Sequence, residues 1–144
     1  MATQNKFNDF SEQLERGVHN FGSHVFKVAL TNTAPVATNT ILSDITQIAN
    51  GNGYTTGGTA TTVAISETSG TTTVTGTAVV FTSATGSMGP FRYAVLYNDS
   101  ATSPLDALIS WADYGSSITL DGAASETFTV TFGGASPGTI HTLA

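Results

Sequence analysis

The hydrophobic period of this chain changes near residue 24. Before it, Phe7, Phe10, Leu14, Val18 and Phe21 recur at intervals of three and four, which is one stripe of an amphipathic helix. Asp9, Glu12 and Glu15 take the other faces. Gly17 and Gly22 weaken the pattern, so it predicts a helix over about residues 5–16 and a looser link behind it. After it, His24, Phe26, Val28 and Leu30 alternate with Val25, Lys27 and Ala29, the period of two that marks a half-buried strand. Helical spacing returns once, at Ile41, Leu42, Ile45, Ile48 and Ala49. With Asn39 or Thr40 as N-cap and Gly51 or Gly53 as stop, one short internal helix is expected over about 41–49.

Beyond the loop NGNGYTTGG the chain reads as strands at about 62–67, 71–83, 90–98, 106–112, 116–120, 126–132 and 139–143, nearly all separated by turn residues. In ETFTVTF, Phe128, Val130 and Phe132 face one way and threonines the other. In GPFRYAVLYND, simple alternation puts Phe91, Tyr93, Val95 and Tyr97 on one side and Arg92, Ala94 and Leu96 on the other. The expected fold is mainly β, a β-sandwich of jelly-roll or immunoglobulin-like type. A helical arm at 1–22 would precede a sandwich domain at 23–144.

Composition sharpens this picture. Of 144 residues, 26 are threonine and 14 serine, while only 10% are charged, so hydroxyls supply the polarity. Threonine is stiff at χ1 and suits a pleated surface better than a helix. The formal net charge of −6 with four Lys and Arg in total leaves no basic patch for nucleic acid or an anionic membrane. Cysteine is absent, which excludes disulfides and thiolate metal sites. The start, MATQNKFNDFSEQLERG, has no apolar core of a secretory signal, so synthesis in a cytoplasm is expected.

Chemistry-bearing residues are few. His19, His24 and His141 lie in no zinc-binding spacing. Asp99, Asp106, Asp113 and Asp121 could pair as acid and base, yet each sits near a strand end or turn, where an Asp has a structural role through backbone hydrogen bonds. No GxSxG elbow occurs, and the glycine groups GNGYTTGG and FGGASPG lack the Lys of a phosphate loop. Trp111, Tyr93, Tyr97 and Tyr114 could line a sugar platform or close a core. Arg92 stands without a basic neighbour or a nucleophile, and an ion pair with Asp99 or Asp113, or an intersubunit contact, is its expected role. No catalytic set, metal or cofactor is expected.

Three stretches, HVFKVALTNTAPVATNTILSDITQIANGNGYTTGG at 24–58, GPFRYAVLYND at 89–99 and WADYGSSITLDGAASETFTV at 111–130, carry a resemblance to small virion structural proteins of tailed bacteriophages. The chain most resembles a capsid decoration, or cement, protein. That resemblance implies a β-rich homotrimer on the outer capsid surface, with the major capsid protein as partner. Phe7, Phe10 and Leu14 would then either cover the chain's own domain or bind the capsid or a neighbouring subunit. In the second case, removing residues 1–18 should abolish capsid association and leave the sandwich folded. A head-to-tail connector or tail component, and a glycan-binding or receptor-binding module, are the rival readings.

Overall fold

A computed structural model describes residues 2–144. It is mainly β, built from antiparallel sheets and one helix. The strands are β1 (Thr3–Lys6), β2 (Phe26–Thr31), β3 (Thr59–Thr61), β4 (Val63–Thr68), β5 (Thr71–Gly76), β6 (Val79–Thr82), β7 (Met88–Asn98), β8 (Leu108–Leu120), β9 (Thr127–Val130) and β10 (Gly138–Leu143). The helix, α1, spans Asp9–Glu15. Five strands form one sheet in the order β1-β8-β7-β2-β3, three form a second as β10-β5-β4, and β6 pairs with β9.

Alternation along the central strands sorts side chains into two cores. Val28 and Leu30 of β2, Ala94 and Leu96 of β7, and Ile109 and Ala112 of β8 meet Val74, Val79, Phe81 and Val130 from the smaller sheets. The main core is therefore shared by all three sheets. Ala29, Val95, Tyr97 and Leu108 take the opposite face and meet Phe7, Leu42 and Ile45. Both faces of the central strands are thus covered, which explains why β7 reads as an almost unbroken apolar run.

The β7–β8 register shifts between Met88 and Phe91, between Phe91 and Tyr93 and between Leu96 and Tyr97, and the second shift is the largest. Phe91 pairs with Ile118 and Tyr93 with Asp113, so five residue steps of β8 oppose two of β7. This bulge, where Gly115 takes φ +87°, shifts the parity of the strand. Phe91 consequently joins Ala94 and Leu96 in the main core, apart from Val95 and Tyr97. The single aromatic face expected from strict alternation is corrected accordingly.

The N-terminal segment differs from the expected arm. Residues 3–6 are a strand, antiparallel to β8 from Thr3↔Asp113 to Lys6↔Ser110, and Phe7 N–H continues the ladder to the Ile109 carbonyl at 3.1 Å. A free backbone edge on β8 overrides the helical spacing here. Phe7 is fully buried in the second core and Phe10 lies in the main core, so residues 1–18 cannot be removed with the cores intact.

The expected helix at 41–49 is also corrected: it shrinks to one 3₁₀ turn at Leu42–Asp44. The Asp44 carboxylate accepts the Thr40 and Ile41 N–H groups at 2.9 and 3.3 Å, and its ionised form is favoured by these bonds. The chain then extends, because Ile45, Thr46 and Ile48 are β-branched and Ile48 N–H finds the Leu30 carbonyl at 3.0 Å. The following glycine loop folds onto β2, where a Cβ on Gly58 would fall 1.8 Å from the Val28 carbonyl oxygen. Tyr54 drops into the main core, and burial pushes its phenol up to about 12.

Candidate functional site

A groove of about 600 Å³ runs between the end of α1 with its following turn and the β10-β5-β4 sheet. Leu14, His19 and Phe21 line one wall, and Ile65, Val74, His141 and Leu143 the other. The register places Ile65, Val74 and His141 in one row across the three strands, with Leu143 two residues on and so on the same face. Ile65 is 53% and Leu143 55% exposed, two large apolar side chains offered beside one groove.

Beneath the groove the segment from Val18 to His24 is tied to the end of β7 by Asn98, which is fully buried. The Asn98 Oδ1 accepts the Ser100 backbone N–H at 3.0 Å, a group that can only donate, and this fixes the amide orientation. Its Nδ2 therefore faces the Val18 carbonyl at 3.3 Å, His19 Nδ1 at 3.2 Å and His24 Nδ1 at 3.0 Å. The Asn20 backbone N–H also points at His24 Nδ1, at 3.4 Å. Both imidazoles act as acceptors at Nδ1, and their ring protons sit on Nε2.

The His19 Nε2 meets no protein acceptor, because Phe10 and Phe21 occupy its surroundings at ring separations of 5.2 and 6.1 Å. Burial lowers its pKa to about 4, repulsion from His24 and His141 adds to the fall, and Asp9 opposes it. Burial also lowers the His141 pKa. No group of three or more His, Cys, Asp or Glu among the described residues is placed to hold a metal ion.

Arg92 makes the bidentate pair for which its planar fork is suited: Nε donates to Asp113 Oδ1 at 2.7 Å and Nη2 to Oδ2 at 3.0 Å. The partner is Asp113; Asp99, the other expected candidate, pairs with Lys27 at 2.9 Å. The guanidinium holds the Asp113 carboxyl below the usual range, helped by the Gly115 N–H, and so braces the β7–β8 bulge. Arg92 also lies 5.3 Å from the Tyr93 ring centre. Asp121 accepts the Ala123 N–H at 2.9 Å within a turn. Asp106 is raised by burial and by Asp99, with Lys27 opposing. Three of the four aspartates weighed as acids are thereby engaged by named partners.

Phe7, Phe10 and Leu14 do not form a partner-binding stripe in this conformation. Phe7 packs tilted against Trp111 at 4.5 Å and Phe10 tilted against His19, both inside the chain, and only Leu14 reaches the groove wall. The physical reason is that β1 places Phe7 on the sheet before the helix begins, so the stripe is split between two cores. Trp111 packs with the second core and Tyr114 with the main core, where its ring meets Phe128 edge-on at 4.8 Å, so the two do not make one stacking platform.

Sequence reasoning missed Asn98, Ile65 and Leu143. Ile65 and Leu143 carried a usable signal, since each is a large apolar residue among threonines and serines. Asn98 carried none: in YND it reads as a turn residue. Comparison of the chain with protein-family models, curated proteins and solved structures finds no match in any of the three.

Proposed function

We propose that this chain is a non-enzymatic structural protein of a phage virion, a decoration protein that binds the outer capsid surface and stabilises the head. The observation that carries this reading is the exposed pair Ile65 and Leu143 beside an open groove on the smaller sheet. Apolar side chains held out on a rigid sheet suit contact with another protein surface, here the major capsid protein. The resemblance of residues 24–58, 89–99 and 111–130 to phage virion proteins supports the same reading.

Association as a homotrimer presents three copies of this face around one axis, so weak single contacts add as avidity. The protein is synthesised in the host cytoplasm and resides on the virion, with neither nucleic acid nor membrane as partner. The test is addition of the purified protein to undecorated heads, with bound copies counted by cryo-EM. Saturable occupancy at hundreds of copies is expected, and Ile65→Asp with Leu143→Asp should abolish it while the melting point moves little. Absence of wild-type binding overturns the reading, and a single small ring of copies at one vertex favours the head-to-tail connector.

A further inference from the structure

The junction at Asn98 has a property that neither fold nor docking requires. Its two amide protons serve three acceptors, two of them imidazole nitrogens, which stop accepting once they carry a proton. A proton on either Nδ1 turns an acceptor into a donor aimed at another donor. Asn98 cannot answer by flipping its amide, because Ser100 N–H holds Oδ1 on one side and the Val18 carbonyl accepts on the other. For His24 the clash is double, since the Asn20 N–H also points at its Nδ1.

We infer that the Val18–His24 segment is an acid-released latch, closed while His19 and His24 accept from Asn98 and opened when a proton occupies either Nδ1. What the latch covers is aromatic. Phe21 stacks on Phe26 at 4.6 Å with the rings nearly parallel, and it is 6% exposed. Opening lifts Phe21 from Phe26, uncovers Phe10 and widens the groove on the side of His141.

The charged surroundings set the direction of the switch. Asp9 on α1 favours a proton on His19, while His24 on the latch and His141 on β10 oppose one. Glu15 lines the groove beside His19, and Lys6 of β1 shares a smaller depression with His141. Asp99, next to Asn98, is neutralised by Lys27. No carboxylate is hydrogen-bonded to either imidazole, so a proton gained at Nδ1 finds no acceptor while the latch stays closed.

Amide hydrogen exchange on the full chain tests the inference, with protection factors corrected for the intrinsic effect of pH. Between pH 7 and pH 4.5, the amides of residues 18–24 should lose at least tenfold in protection relative to those of β8. In the double variant His19→Asn, His24→Asn the side-chain oxygens can still accept but do not titrate, and protection should stay constant. Asn98→Asp, which accepts where Asn98 donates, should reverse the response: open at pH 7 and tighter in mild acid. Equal protection of the wild-type segment at both pH values overturns the latch, as does parallel loss across β8, since then the whole fold opens. Loss in the double variant equal to that of wild type overturns it too.

Discussion

Strands β7 and β4 are both sheet strands with β-branched residues, yet their sequences differ in kind: MGPFRYAVLYN against VAISET. In β7 every residue from Tyr93 to Asn98 is buried, because cores lie on both faces. In β4 only Val63 escapes full exposure, and the strand lies at the edge of its sheet with β5 as its one neighbour. The contrast separates two tasks of one chain. Apolar density on β7 holds the fold together, and the one large apolar side chain exposed on β4, Ile65, is left to meet something else.

Substitution at each strand is the sharpest way to break that contrast. Phe91→Ala should cost about 3–5 kcal/mol, the range for emptying a filled core site, measured by urea unfolding. Ile65→Ala should cost well under about 1 kcal/mol in the same assay, since its side chain is half in solvent. Comparable losses at both sites would mean that β4 is as much a part of the core as β7.

Next in size is the effect of acid. The folded pKa of His19, about 4, lies below its ordinary 6.5, so the unfolded chain binds more protons between these values. Its contribution is fully present above about pH 6.5 and is lost as pH falls toward 4, amounting to roughly 3 kcal/mol at most. Unfolding free energies at pH 7 and 4.5 should therefore converge in His19→Asn relative to wild type. An equal acid loss in both would assign the effect to other groups.

The smallest effect belongs to Arg92. Its pair with Asp113 is partly exposed, so Arg92→Ala should lower the melting temperature by only about 1–3 °C, and added salt should shrink the difference between variant and wild type. A salt-independent loss would instead point to the packing of the Arg92 stem on Tyr93.

Much of this fold is legible in the sequence, and the failures have physical causes. The strand at His24–Leu30, the run at 90–98 and ETFTVTF alternate against a real core and fall close to β2, β7 and β9. Residues 71–83, read as one strand, break at Thr77 and Ala78 as the chain passes between sheets. Residues 106–112 and 116–120, read as two strands, are one, because Gly115 makes a bulge and not a turn. Strand β1 could not be foreseen: TQNK has no apolar alternation, and only the edge of β8 gives it partners. An ion pair for Arg92 was legible from charge scarcity, but the choice between Asp99 and Asp113, or an intersubunit contact, was not. The Asn98 junction joins residues some 80 positions apart and leaves no local trace.

The edges of the two sheets have a consequence for solubility in a crowded setting. The five-stranded sheet ends in β1 and β3, four and three residues long, too short to template a foreign strand. The β10-β5-β4 sheet has no such blunting, and the outer edge of β4 runs for six residues. Its one charge, Glu67, thus guards the edge against like copies, since two chains joining there would bring two carboxylates onto one short ladder.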